Sequence, residues 1–168
     1  MLWRNVPSLI SDWFSASYRT TFSRCNRTIK LSPRTISPMY RAATRSIEVT
    51  VTPRFLSERS SPENGYFFWA YKVEITNHGA ETVQLKTRHW RITDAHGRLQ
   101  EVRGAGVVGE EPVLKPGQSF EYTSGVPLPT PSGFMVGTYG MVTEDGVGFN
   151  IDIPAFSLDS TTAARTLN

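Results

Sequence analysis

From Ile47 onward, apolar and polar residues alternate with a period of two along most of the chain. Ile47, Val49 and Val51 alternate with Glu48, Thr50 and Thr52 as far as Pro53, the pattern of a strand with one buried face. A turn at Asn64-Gly65 opens a second run, in which Trp69, Tyr71, Val73 and Ile75 share one face and Lys72, Glu74 and Thr76 the other; Asn77-His78-Gly79 ends it. The third run begins on odd positions with Val83 and Leu85 and continues on even positions with Trp90 and Ile92. A slip of one residue sends a whole face to solvent unless a bulge absorbs it, so a bulge or kink is expected near Arg88. Asp94-Ala95-His96-Gly97 is expected to form a tight hairpin turn into a fourth strand. Pro116-Gly117 precedes a fifth strand bearing Phe120 and Tyr122, and the segment from Phe134 to Phe156 reads as two more, joined at Glu144-Asp145-Gly146. No apolar period of 3.6 is sustained between Ile47 and Leu158. The pattern predicts an all-β sandwich of about seven antiparallel strands.

Composition adds a boundary. Residues 1–38 carry six basic side chains against Asp12, whereas the rest of the chain keeps 12 of the 18 basic and 14 of the 15 acidic residues, a net charge of −2. The folded part is therefore mildly acidic and has no clustered Lys and Arg to track a phosphate backbone, which argues against nucleic acid as a partner. The basic extension, with Leu2, Val6, Leu9 and Trp13 at helical spacing, reads as a disordered segment, an over-long start or a transit peptide. Met39 is expected to be the true start. The domain is expected over residues 39–159, and the small polar stretch 160–168 as a flexible tail. With Cys25 as the sole cysteine there is no internal disulfide, consistent with a cytoplasmic protein. No run of 18 or more apolar residues exists to span a membrane.

The candidate chemistry is thin. Gly104-Ala105-Gly106-Val107-Val108-Gly109 spells the G-x-G-x-x-G of a dinucleotide turn. That turn works when a strand delivers its glycines to a helix N-terminus, but here Glu110-Glu111-Pro112 follows at once, and no acidic residue lies about 20 positions on to hold a ribose. Gly104, Gly106 and Gly109 are therefore read as a glycine-bearing strand or loop that lets backbones approach closely, with ligand or partner binding as the functional alternative. His78, His89 and His96 have no metal-ligand spacing, and Glu110-Glu111 and Glu144-Asp145 read as solvated loops; no metal or cofactor site is expected. Ser124-Gly125 is not part of a nucleophile elbow and Cys25 has no nearby histidine, so no catalytic residue is proposed. The ring-rich stretch Tyr66, Phe67, Phe68, Trp69 and Tyr71 exceeds what one strand face buries, leaving one or two rings for a partner.

The stretch from Asn64 to Val142 closely resembles the ApaG family: the aromatic strand, Arg88-His89-Trp90, the Gly104–Gly109 run, Pro116-Gly117, Ser124-Gly125 and, beyond it, the closing Ile153-Pro154-Ala155-Phe156 carry the resemblance. It covers about residues 39 to 159, nearly all of the domain; the segment before Met39 is unlike the family. The resemblance implies a fibronectin type III or immunoglobulin-like β-sandwich. It also implies a protein-interaction role, since the same domain is a module of a eukaryotic F-box protein and a polymerase-interacting protein. It brings no established catalytic residues. The family also carries a label of cobalt and magnesium efflux and a gene neighbourhood with a diadenosine tetraphosphatase. The expected function is thus a non-catalytic module binding an unidentified protein, or a second copy as a homodimer. The alternative is a regulator linked to divalent cations or polyphosphate nucleotides through Gly104–Gly109.

Overall fold

The computed structural model describes residues 38–160. The basic extension and the tail, residues 1–37 and 161–168, with the expectations attached to them, lie outside the described residues. Among the described residues nine strands form, all paired antiparallel: β1 (Tyr40–Thr44), β2 (Ile47–Phe55), β3 (Phe67–Asn77), β4 (Val83–Asp94), β5 (Leu99–Ala105), β6 (Val113–Leu114), β7 (Ser119–Leu128), β8 (Ser132–Thr143) and β9 (Gly148–Asp159). One sheet has the order β1-β2-β3-β7 and the other β5-β4-β8-β9, with β6 pairing β4 beyond the end of β5. The two sheets form a sandwich of the fibronectin type III or immunoglobulin-like kind, with β1 and β2 lying over β9. No helix among the described residues is long and apolar enough to cross a membrane.

The seven strands expected from the pattern are all present; the other two, β1 and β6, had no signal of their own. β1 folds back on β2 through Arg45 and Ser46, whose φ values of 48° and 61° make a two-residue hairpin turn without the usual Gly or Asn. β6 is only two residues long. β2 also runs past Pro53 to Phe55 instead of ending before it. β1 pairs only as far as Val51, so the amide that Pro53 lacks breaks no ladder bond on that side.

The expected slip in β4 is real but lies at Lys86, earlier than Arg88. Leu85 pairs Met141 and Thr87 pairs Gly140, leaving Lys86 as the extra residue, while the register through Arg88, His89 and Trp90 is regular. Lys86 and Thr87 are both exposed, so the bulge takes up the odd residue where neither side chain is needed inside. A second bulge lies in β9, where Pro154 and Ala155 share the span opposite Val136.

The core is aromatic at its centre. Trp90 meets Tyr71 of the opposite sheet edge-on at 5.6 Å, and Tyr139 and Phe156 near perpendicular at 6.2 and 6.0 Å. Cross-sheet ring packing of this kind makes truncation of such a residue cost about 3–5 kcal/mol. At one end, buried Asn77 does the work of a backbone splice. Its Nδ2 donates to the carbonyls of Glu81 (2.8 Å) and Leu114 (2.9 Å), and its Oδ1 accepts from the amide of Gly79 (2.9 Å).

Replacing Asn77 with Ala strands two carbonyls and one amide in a dry setting, so unfolding in urea is expected to show a loss of about 2–3 kcal/mol. A loss under half a kcal/mol would mean that water satisfies these groups.

Candidate functional site

The glycine run is built around the Lys86 bulge. β5 pairs β4 as far as Ala105, and the chain then crosses to β6, which pairs Val83 and Gln84 further along the same edge. Between them the Gly106 amide donates to the bulge carbonyl of Lys86 at 2.9 Å. Val107 and Glu110 exchange amide–carbonyl bonds of 2.8 Å each, closing a hairpin whose tip is Val108-Gly109, with φ values of 47° and 82°. Val107 is fully buried and pins the hairpin to the core. Lys86 Nζ reaches back to the Glu111 carboxylate at 2.6 Å.

The glycines have separate reasons to be there. A Cβ on Gly106 would sit 2.2 Å from the Glu110 carbonyl oxygen, and its φ is +55°, so both space and backbone require glycine. A Cβ on Gly104 would lie 3.1 Å from Cζ and from both terminal nitrogens of Arg88, so the guanidinium lies flat against this position. Close backbone packing is thus what the run achieves. Its amides at Gly106, Val107 and Glu110 are all engaged within the chain, and its carbonyls at Ala105 and Gly106 accept from Arg88 Nη1 at 2.7 and 2.8 Å. A phosphate cradle presents free amides; this segment turns carbonyl oxygens inward and fills them with an arginine.

Arg88 has the parity of Trp90 and Ile92 and so points between the sheets, at the margin formed by β5 and β7. Its charge acts on the phenols of Tyr71, Tyr122 and Tyr139. Burial raises all three above the ordinary tyrosine range, and the nearby guanidinium offsets this only in part, so they remain neutral hydroxyls at physiological pH. Tyr122 and Tyr139 are hydrogen-bonded to each other through their hydroxyls, and the Ser124 hydroxyl beside Tyr71 favours that residue's charged form, against burial.

The other residues singled out in the sequence are not brought together. His78 lies just beyond β3, His96 in the β4–β5 turn, and His89 on the outer face of β4, where its Nε2 lies 3.1 Å from Glu101, itself bonded to Arg103 at 3.0 Å. Glu144 and Asp145 lie in the β8–β9 turn. Of the aromatic stretch, Phe67, Trp69 and Tyr71 are buried, whereas Tyr66 and half-buried Phe68 stack on the outside at 6.4 Å, Arg59 covering Phe68 at 4.0 Å. Phe68 lies over Gly125 of β7, where a Cβ would come within 2.5 Å of the ring. Arg88 is the residue that sequence reasoning passed over, although its parity with Trp90 already placed it on the inner face.

Two outcomes are expected from this arrangement. Gly106→Ala should lower stability by about 2 kcal/mol or more in denaturant unfolding, because the return strand has no room to give. The Asp94 turn governs acid sensitivity. Burial alone would raise the Asp94 pKa, but the amides of Arg98 and His96 and the Arg98 guanidinium (2.6 Å) together hold it below the ordinary value. A depressed folded-state pKa contributes stability that is present above the unfolded value near 3.8 and lost as pH falls through the folded one. Asp94→Asn should therefore flatten the dependence of unfolding free energy on pH below about 4, measured by urea titration at several pH values; an unchanged acid limb would exclude this carboxylate.

Comparison with known proteins agrees with this architecture. Residues 57–143 match the family described as the ApaG domain. A protein named Protein ApaG from Rhodopseudomonas palustris (strain TIE-1) is 69% identical over 130 residues, covering 77% of this chain and all of the relative. One of the same name from Rhodospirillum centenum is 68% identical over 122 residues, 73% of this chain and 94% of its own. Among solved structures, an ApaA protein from Bordetella pertussis superposes with a TM-score of 0.67 at 51% identity, covering 68% of this chain and 94% of that one. The aromatic strand, the glycine hairpin and the two-sheet topology thus place the chain in the ApaG domain family.

Proposed function

We propose that this chain is a non-catalytic interaction module that takes up an extended segment of a protein partner along β7. The observation that carries this reading is the state of that strand. β7 is ten residues long and, among the described residues, is bonded on one side only, to β3. The ladder phase follows from Asn77, whose amide donates to the Gln118 carbonyl. Counting from that bond, the even residues of β7 bond β3, and Ser119, Glu121, Thr123 and Gly125 turn their N–H and C=O groups outward. Pro127 has the same outward parity and loses no bond to β3.

The other edges are better guarded. β5 is seven residues long and carries Glu101 and Arg103, β1 is five residues long, and β9, twelve residues long, carries Asp152 and Asp159, is interrupted by the Pro154-Ala155 bulge and donates its Asp152 amide to Thr44 Oγ1 of β1 at 3.2 Å. β7 carries a single charge, Glu121, which Lys72 engages at 2.7 Å. Long edges with little charge are templates for strand addition. The stacked Tyr66 and Phe68, adjoining Gly125, give an incoming strand an aromatic surface on the outer face. The same edge would serve a second copy of the chain, and the lone cysteine is in keeping with a cytoplasmic setting.

Thr123→Pro is the discriminating variant, since it removes an outward amide without touching the β3 ladder. It should leave the melting temperature within a few degrees of the parent while abolishing partner capture from native extract. In the complex, the amides of Ser119, Glu121, Thr123 and Gly125 should gain protection from hydrogen exchange. A partner retained equally by Thr123→Pro, with no new protection on β7, would overturn the reading.

A further inference from the structure

Arg88 is a half-buried cation that its surroundings leave partly unanswered. A guanidinium has five N–H donors, and the two on Nη1 are used by the Ala105 and Gly106 carbonyls. The donors on Nε and Nη2 have no acceptor among the described residues, and no described carboxylate lies within ion-pair distance of this side chain. Glu111, whose side chain packs against Gly106, is neutralised by Lys86. Buried or half-buried charges are ordinarily paired. Here a positive charge is fixed in place by two carbonyls and a flat glycine, with the Nε/Nη2 edge left over. That edge is the fork that accepts two oxygens of one oxyanion side by side.

We propose that Arg88 is a carboxylate-binding group, receiving one carboxylate between β5 and β7 against the Nε/Nη2 edge of its guanidinium. Charge selects the class of anion. One guanidinium balances one monoanion, whereas a phosphate dianion would leave excess negative charge beside three neutral phenols and a glycine hairpin followed by Glu110 and Glu111. This inference goes beyond the β7 reading and does not depend on it: a carboxylate on a small molecule, on an acidic side chain or at a chain terminus presents the same two oxygens.

The test is a titration of the ¹⁵N-labelled full chain followed at the Arg88 Nε–H and the Gly104 and Gly106 amides. The probes are sodium acetate, N-acetylglutamate amide for a side-chain carboxylate, N-acetylalanine for a chain terminus, and sodium phosphate and sodium chloride as controls at equal ionic strength. At least one carboxylate should give a saturable shift at Arg88 Nε–H, and the one that binds tightest identifies the source. Followed at the Gly104 and Gly106 amides, because the Nε–H is gone, Arg88→Lys, which keeps the charge and loses the fork, should weaken binding about tenfold. Gly104→Val should abolish it, because the new side chain takes the guanidinium's place while its extended backbone suits a β-branched residue. Shifts no larger than with chloride, shifts that survive both variants, or phosphate binding as tightly as the carboxylates would each overturn the proposal. Thr123→Pro should leave this titration unchanged, so a failure here and a failure of strand addition on β7 are read separately.

Discussion

Two sheets with no α-helix among the described residues to bridge them are held together by what their inner faces bury against each other, and here the decisive contact is the aromatic cluster around Trp90. Tyr71 comes from one sheet, Trp90, Tyr139 and Phe156 from the other, and their edge-on packing sets the spacing of the sandwich. Tyrosine rings bring hydroxyls into that dry space. The Tyr122–Tyr139 pair answers its own two, and Arg88 is placed where the cluster approaches the open margin. The polar features of the domain interior are in this sense consequences of building its core from rings that carry oxygen.

The glycine run belongs to the same arrangement. Gly104 makes room for a guanidinium, Gly106 lets the return strand come within contact of its own backbone, and the Val108-Gly109 tip turns the chain around. Its spelling matches a nucleotide turn, but the polarity is inverted: amides are used within the hairpin and carbonyls are offered to a cation. A sequence pattern reports where glycine is needed and not which backbone group faces inward. That distinction depends on whether the glycines are followed by a helix, and here they are followed by a two-residue strand.

The strands were legible because a period of two survives wherever one face is buried, as in Ile47 to Val51 and Trp69 to Ile75. The Asp94 turn was legible because its chemistry is local: a carboxylate capping amides two and four residues on, then a glycine of positive φ. β1 escaped notice because Arg45 and Ser46 make a hairpin turn with residues that seldom take positive φ. The change of phase in β4 shows that a bulge is needed but does not place it, since Lys86 to His89 are four polar residues in a row and carry no apolar phase from which to fix the slip. The site around Arg88 was beyond reach for a different reason. Parity puts Arg88 inside, but the glycine beneath it comes from β5 and the phenols around it from β3, β7 and β8. Only the register of separate strands brings them together.

The bulge at Lys86 ties the length of the chain to its chemistry. Removing Lys86 would leave four steps from Leu85 to Trp90 against four from Met141 to Gly137, a regular ladder with both faces kept, but without the bulge carbonyl that takes the Gly106 amide or the amine that meets Glu111. The core would keep its alternation, and the glycine hairpin beside Arg88 would lose the backbone group that anchors it to β4. For this domain, the number of residues between two core positions is a heritable character in its own right. Divergence is free to rewrite the letters at Lys86 and Thr87 but has little liberty to alter their count.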